Sequence, residues 1–193
     1  NIAVVTGASG GIGAAVAALL CRMGAEVVLA ARSEQKLAEL AARLGARAHP
    51  FRLDVSDERE VSTAFERLYE RFGRIDILVN NAGFGRFGLV REMPGETLRR
   101  MMDVNFFGTV YCTQAVLPRM TEKRSGVIVN IASVAGKMAT AKSAGYSATK
   151  HAVLGFTDAL RQELHGSGVR VIAVNPGPVD TEFFRIADPE GGY

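Results

Sequence analysis

Cysteine and histidine are scarce in this chain. Its 193 residues include two cysteines, Cys21 and Cys112, and three histidines, His49, His151 and His165. Both cysteines fall within predicted helices and form neither a metal nor a redox motif, so we read them as packing residues of a reducing, cytoplasmic compartment. The histidines have no ligand spacing, and no metal site is expected. His151 directly follows Lys150, about 100° further round a helix, and is assigned to the surface or the helix edge. A dominant charge is also lacking. The 23 basic and 20 acidic residues are interspersed and leave a net charge of +3, which gives nucleic-acid binding little support. No apolar run reaches membrane-spanning length. No internal repeat or linker is visible either, and a content of 48% hydrophobic and 22% charged residues fits one globular domain over residues 1–193. The chain opens on Asn1 and runs at once into a strand, so further residues are expected upstream.

What is present is an alternation of strands and helices. Apolar runs at residues 2–5, 26–31, 49–55, 75–79, 127–132 and 169–174 predict six strands. Between them lie helical periodicities, including Ile12, Ala15, Val16, Leu19, Leu20 and Met23, then Leu37, Leu40, Ala41 and Leu44, then Val61, Ala64, Phe65, Leu68 and Phe72. Gly24, Gly45 and Gly73 are the expected helix stops, Ser56 or Asp57 the expected cap of the third helix, and one long helix is expected over residues 96–119. This pattern predicts an α/β fold: a three-layer, doubly wound parallel sheet with right-handed crossovers. Ligands of such sheets lie at the carboxyl ends of the strands, near the reversal of strand order.

The strand ends are where the unusual residues gather. After the first strand comes Thr6-Gly7-Ala8-Ser9-Gly10-Gly11-Ile12-Gly13, a glycine-rich turn opening a helix. That context allows a pyrophosphate to approach the backbone and the free N–H groups of the helix start. The second strand ends on Ala31-Arg32, with no carboxylate before Glu34. An acid there would hold an adenosine ribose, whereas an arginine accommodates a 2′-phosphate. Asp54, after the third strand, is either a turn residue or an acceptor for an adenine amino group. Asn80-Asn81-Ala82-Gly83 follows the fourth strand, Ser133 the fifth and Asn175-Pro176-Gly177-Pro178-Val179-Asp180-Thr181 the sixth. Asn105 lies mid-helix, against propensity, and needs a polar partner or exposure.

Tyr146 and Lys150 are four residues apart in a predicted amphipathic helix that also carries Val153, Leu154, Phe156 and Leu160. That spacing holds a phenol and an ammonium on one face. A neighbouring cation lowers a phenol pKa, and bringing it from about 10 to neutrality takes about 4 kcal/mol. By itself the pair means little. Four tyrosines and five lysines produce one such pair by chance at a rate on the order of 0.1, and the plainer reading is a surface tyrosine on a lysine stem. Its weight comes from the other strand-end residues.

Taken together, TGASGGIG, NNAG, YSATK and NPGPVDT, with Asn105 and Ser133, resemble the motifs of the short-chain dehydrogenase/reductase family over nearly the whole chain. The resemblance implies a Rossmann-like NAD(P)-binding fold. It also implies an oxidoreductase moving a hydride between NADP(H) and a carbonyl or secondary alcohol, with Asn105, Ser133, Tyr146 and Lys150 as catalytic set. In that set Ser133 hydrogen-bonds the substrate oxygen and Tyr146 exchanges a proton with it. Lys150 binds the nicotinamide ribose and lowers the Tyr146 pKa, and Asn105 helps hold a water leading from Lys150 to solvent. The implied cofactor residues are Gly7, Ser9, Gly11, Ile12, Gly13, Arg32, Asp54, Val55, Asn81, Ala82, Gly83, Tyr146, Lys150, Pro176, Gly177, Val179 and Thr181. Ala31-Arg32 is similar to the NADP-preferring pattern, although relatives using NADP often carry a basic residue where this chain has Gly10, so NAD(H) remains an alternative. Partners are expected to be a small carbonyl or alcohol substrate and further copies of the chain, as a dimer or tetramer. The family usually continues through another helix and a last strand, which would make this chain, ending at Gly191-Gly192-Tyr193, incomplete at its C-terminus. A 3-oxoacyl-carrier reductase is the second reading, with Arg86 or Lys137 attracting an anionic carrier. A non-catalytic NADP-binding sensor is the third. The substrate pocket is expected between residues 84–91, residues 134–143 and the chain after Thr181.

Overall fold

A computed structural model describes residues 1–189 and Gly191. Glu190, Gly192 and Tyr193, and with them most of the Gly191-Gly192-Tyr193 ending, lie outside the described residues. Six parallel strands form one sheet: β1 (Ile2–Thr6), β2 (Glu26–Ala31), β3 (Ala48–Arg52), β4 (Ile77–Asn80), β5 (Gly126–Ile131) and β6 (Val169–Val174), in the order β3-β2-β1-β4-β5-β6. Consecutive strands run outward from β1 in one direction and then, from β4, in the other. The reversal therefore falls between β1 and β4, whose ends carry the glycine loop and Asn81. The strands are apolar on both faces because helices cover both. One core layer joins the sheet to α1 (Gly11–Arg22) and α2 (Glu34–Leu44) through Ala17, Cys21, Leu37 and Leu40. The other joins it to α3 (Glu58–Phe72), α5 (Gly108–Glu122) and α6 (Ala144–Glu163) through Phe65, Leu68, Val116 and Leu160. A short α4 (Gly95–Met102) precedes α5, and α7 (Glu182–Ala187) follows β6. No helix among the described residues is long and apolar enough to cross a membrane.

Local chemistry explains most element boundaries. Asp57, rather than Ser56, caps α3 by accepting from Arg59 N and Glu60 N, and Gly73 ends it in a left-handed conformation at φ 72°. Ser33 caps α2, and Gly45 closes it. Pro50 sits in β3 opposite Leu29. Having no N–H, it is tolerated there because β3 is an edge strand. That strand ends at Arg52 rather than running to residue 55, because Asp54 accepts from both Ser56 N and Ser56 Oγ and turns the chain.

Two expectations need correcting. The single long helix over residues 96–119 is two helices joined by a π-helical turn, Asp103–Phe107. There Thr109 Oγ1 donates to the Asn105 carbonyl at 3.0 Å, giving that carbonyl a side-chain partner within the widened turn. The face of α1 is also different. Gly13, Ala17 and Cys21 are buried, whereas Leu19 is 48% exposed and Met23 is exposed too. Small side chains face the sheet because the helix start must lie close to the loop and to β4, and the larger residues are turned outward. Burial raises the Cys21 thiol pKa, with the Glu26 carboxylate adding to it, and pushes Cys112 up to about 12. Both thiols thus stay protonated and act as packing groups.

This face assignment has a direct test. Ala17→Leu should destabilise the protein by about 1–3 kcal/mol through overpacking, whereas Leu19→Ala should cost about 0.5 kcal/mol or less, as read by urea unfolding.

Candidate functional site

The glycine loop is built by a hydrogen-bond knot at the reversal of strand order. Asn81 Nδ2 donates to Thr6 O at 3.0 Å and to Gly7 O at 3.2 Å, while Asn81 N and Ala82 N both donate to Thr6 Oγ1 at 3.0 Å. The loop approaches β4 so closely that a methyl group on Gly7 would lie 2.7 Å from Ala82 Cα, and one on Gly13 would collide with Asn81 Nδ2 and Gly7 O. Gly7 and Gly11 also have positive φ, 64° and 53°. Gly10 faces open space, and no side chain caps α1. The first N–H groups of α1, around Gly11, Ile12 and Gly13, are thereby left for an external acceptor, with the positive end of the helix dipole behind them. Ser9 is half-buried in the same loop. Val179, Asp180 and Thr181 share a groove of about 710 Å³ with Gly11 and Ile12. Thr181 Oγ1 caps α7 by accepting from Phe183 N at 3.3 Å.

Arg32 is exposed at the end of β2, and Asp54 lies within its electrostatic reach. Burial raises the Asp54 pKa, but the Ser56 hydroxyl and amide, followed by the charges of Arg32 and Arg100, outweigh it and hold the carboxyl below its ordinary range. Sequence reasoning missed Arg52, which pairs in register with Ala31 beside Arg32 but has its guanidinium on Glu60 at 3.1 Å. Val55 turns into the core, where a methyl on Gly108 would come within 2.6 Å of its Cγ2. Its side chain is accordingly a packing group.

The four residues Asn105, Ser133, Tyr146 and Lys150 meet where α6 crosses the ends of β4 and β5. Tyr146 is 9% exposed and Lys150 5%. Their spacing on α6 brings Lys150 Nζ to 5.7 Å from the Tyr146 ring centroid. The ammonium donates to Ile131 O, at the end of β5, at 2.9 Å. Gly83 makes room for it, since a methyl there would lie 3.6 Å from Nζ and 3.1 Å from Asn105 Oδ1. Burial lowers the Lys150 pKa to about 8. Ser133, two residues past Ile131, is half-buried and accepts from Ala135 N at 3.1 Å. Val134 N donates to Pro176 O at 3.0 Å, which holds the Pro176-Gly177 segment against this turn.

Asn105 finds its partners in the backbone and in Thr149. Its Oδ1 accepts from Phe84 N at 2.9 Å, and its Nδ2 donates to Phe84 O at 2.9 Å and Thr149 Oγ1 at 3.0 Å. Thr149 Oγ1 in turn donates to Tyr146 O at 2.8 Å. Asn105 therefore clamps the chain after Gly83 to the Tyr146 helix. Its main-chain carbonyl, engaged by Thr109, retains one lone pair toward the site. Thr6 and Thr149 were not singled out from the sequence, although both lie inside the quoted motifs. His151 is exposed, and its Nδ1 is 2.8 Å from Ser147 O, on the far side from Lys150. Among the described residues, no group of three His, Cys, Asp or Glu is placed to hold a metal ion.

The lysine makes a pH prediction. Its folded pKa of about 8 lies below the ordinary 10.5, so between these values the unfolded chain holds a proton that the folded chain releases. Stability contributed by this group therefore rises with pH across that window. The slope of melting temperature against pH between about 8 and 10.5 should flatten in Lys150→Met.

Comparison with known proteins places this geometry. The chain matches the short chain dehydrogenase family over residues 1–190. It is 46% identical over 185 residues to an uncharacterized oxidoreductase of Staphylococcus saprophyticus, covering 94% of this chain and 79% of that one. The closed form of serine dehydrogenase complexed with NADP+ superposes with a TM-score of 0.94 at 36% identity, covering 99% of this chain and 78% of that one. The 3-ketoacyl-(acyl-carrier-protein) reductase of Brucella melitensis, complexed with NADH, superposes equally at 0.94 and 32% identity, covering 98% of this chain and 80% of that one. The sheet order, the glycine loop and these matches agree, and the chain belongs to the short chain dehydrogenase family of oxidoreductases.

Proposed function

We propose that the protein is an NADP(H)-dependent oxidoreductase acting on a carbonyl or secondary alcohol, with Tyr146 as general acid and base. The observation that carries this reading is the buried Lys150 ammonium, held by Ile131 O beside the Tyr146 ring. Burying a charge without a carboxylate partner is costly, and a function that uses the charge explains its retention. The uncapped start of α1 fits a dinucleotide pyrophosphate, and exposed Arg32 fits a 2′-phosphate. Gly7, Ser9, Gly11, Ile12 and Gly13 would lie along the phosphates, with Asp54 and the main chain at Val55 toward the adenine. Ala82, Gly83, Pro176, Gly177, Val179 and Thr181 would border the nicotinamide, while the Asn81 side chain holds the loop that receives it. When bound, the nicotinamide supplies or accepts the hydride.

The chain's own residues handle the oxygen. Ser133 Oγ hydrogen-bonds it, and Tyr146 gives its phenolic proton as the carbonyl carbon is reduced, or takes the proton in the reverse direction. Lys150 stabilises the phenolate that remains until solvent returns a proton. Asn105 keeps the Phe84 segment and α6 in register and leaves its carbonyl for a water. Support for the cofactor also comes from the NADP+ in the serine dehydrogenase structure, while the NADH in the Brucella reductase keeps NAD(H) as the alternative. The likeness to that reductase favours 3-oxoacyl-carrier reduction as a second reading, with exposed Lys137 and half-buried Arg86 as contacts for an anionic carrier.

Tyr146→Phe should lower kcat by about a hundredfold or more while NADPH still binds, measured by ketone reduction and by titration. Undiminished turnover would remove the tyrosine from the reaction, and tight NADPH binding without turnover by the wild type would favour a cofactor sensor. Arg32→Ala should weaken NADPH binding about tenfold or more and leave NADH within about twofold. Equal loss for both cofactors would sink the 2′-phosphate assignment.

A further inference from the structure

An aromatic cluster surrounds the Tyr146 ring, and no family motif calls for it. Phe87 meets Tyr146 edge-on at 5.8 Å between centroids, and Phe183 lies at 5.3 Å and 52°. Phe183 and Phe87 are themselves 6.4 Å apart, and Phe184 joins both. Behind the rings lie Met101 and Ala187, both fully buried. The cluster is held by backbone. Phe87 N donates to Ala187 O at 2.9 Å, which ties α7 to the loop, and Gly88 N donates to Lys142 O at 2.9 Å. The tip of Phe183 rests on Gly85, where a methyl group would come within 2.8 Å of its Cζ. Phe87 and Phe183 therefore occupy defined positions against the residue that exchanges the proton.

These positions have a chemical consequence. A substrate whose oxygen reaches Tyr146 must set one substituent of its reacting carbon against two phenyl faces or edges. An uncharged aryl or bulky alkyl group gains apolar burial and ring contact there. A carboxylate or ammonium would lose hydration among the rings. The charged groups nearest these walls are Lys150, engaged by Ile131 O, and Arg100, whose guanidinium lies 5.9 Å from the centroid of Phe84 on the outer side of the cluster.

We propose that Phe87 and Phe183 form an aromatic clamp beside Tyr146 that selects ketones, or the corresponding secondary alcohols, carrying an uncharged aryl or bulky alkyl group at the reacting carbon. The inference rests on the reading of Tyr146 as the proton donor and adds the substrate class. α7 is the movable half of the clamp, six residues long and joined to the loop through the Phe87–Ala187 bond.

The test measures kcat/KM with NADPH for 1-phenylethanone, acetone and pyruvate. The wild type should favour 1-phenylethanone over acetone by about tenfold or more and use pyruvate least. Phe87→Ala and Phe183→Ala should each reduce the phenyl-to-methyl preference about tenfold, mainly through KM, with acetone little changed. Phe87→Leu and Phe183→Leu, which keep apolar volume and guard against misfolding, should retain part of it, with folding checked by circular dichroism. A preference that stays within about twofold of wild type in both alanine variants overturns the clamp. A wild type that prefers pyruvate, or does not turn over 1-phenylethanone, overturns it as well. Tyr146→Phe run alongside separates the two ideas: lost turnover there with unchanged selectivity in the phenylalanine variants rejects only the clamp, whereas retained turnover rejects the proton-donor reading.

Discussion

Burying one ammonium at the carboxyl end of β5 is the constraint on which the rest of this site depends. Lys150 is reached only by the Ile131 carbonyl among its printed neighbours, at 2.9 Å, and burial brings its pKa to about 8. For the charge to sit there, α6 must cross close to the strand end. Gly83 and Gly136 make that possible, since a methyl on Gly136 would press to 2.8 Å from Lys150 O. Once α6 is seated, Tyr146 follows one turn earlier on the same face. The position of the phenol is thus a consequence of where the lysine can be tolerated.

Side-chain amides hold the surrounding frame. Asn81 ties the glycine loop to β4, and Asn105 ties the segment after Gly83 to α6. A third tie lies inside the sheet. Asn80 and Asn130 face each other in register on β4 and β5, with Asn80 Nδ2 donating to Asn130 Oδ1 at 2.9 Å and to Thr113 at 3.1 Å. Asn130 Nδ2 then reaches Thr157 on α6 at 2.9 Å. One polar chain therefore links α5, two strands and α6 directly beneath the lysine. Such ties have a direction that apolar packing lacks, which suits elements whose ends must be set to within a fraction of an ångström.

Much of this was legible before any coordinates. Strand runs with two apolar faces gave the parallel sheet, and β2 and β6 have the bounds the sequence implied. Gly45, Gly73 and Asp57 mark helix ends through local chemistry that needs no distant partner. The face of α1 was misread because hydrophobic periodicity locates the largest apolar side chains, whereas close approach to the sheet selects the smallest. The π-helical turn was invisible because its cause, a threonine bonding to the Asn105 carbonyl, competes only slightly with ordinary helix geometry. Phe87 and Phe183 lie 96 residues apart, counted from their positions, and no local pattern joins them.

By itself the sequence determined the elements, the family and the short-range chemistry: a phenol and an ammonium one helical turn apart, a glycine-rich helix start, and an arginine where an acid would otherwise stand. These are relations between near neighbours along the chain, and backbone geometry converts them directly into positions. Only the tertiary structure decided what surrounds them. It assigned Asn81 to the loop, Asn105 to Phe84 and Thr149, and Val55 to the core, and it brought two phenylalanine rings against the tyrosine. Contacts of this kind depend on how strands and helices from distant parts of the chain pack, and on which side chain fills the space between them.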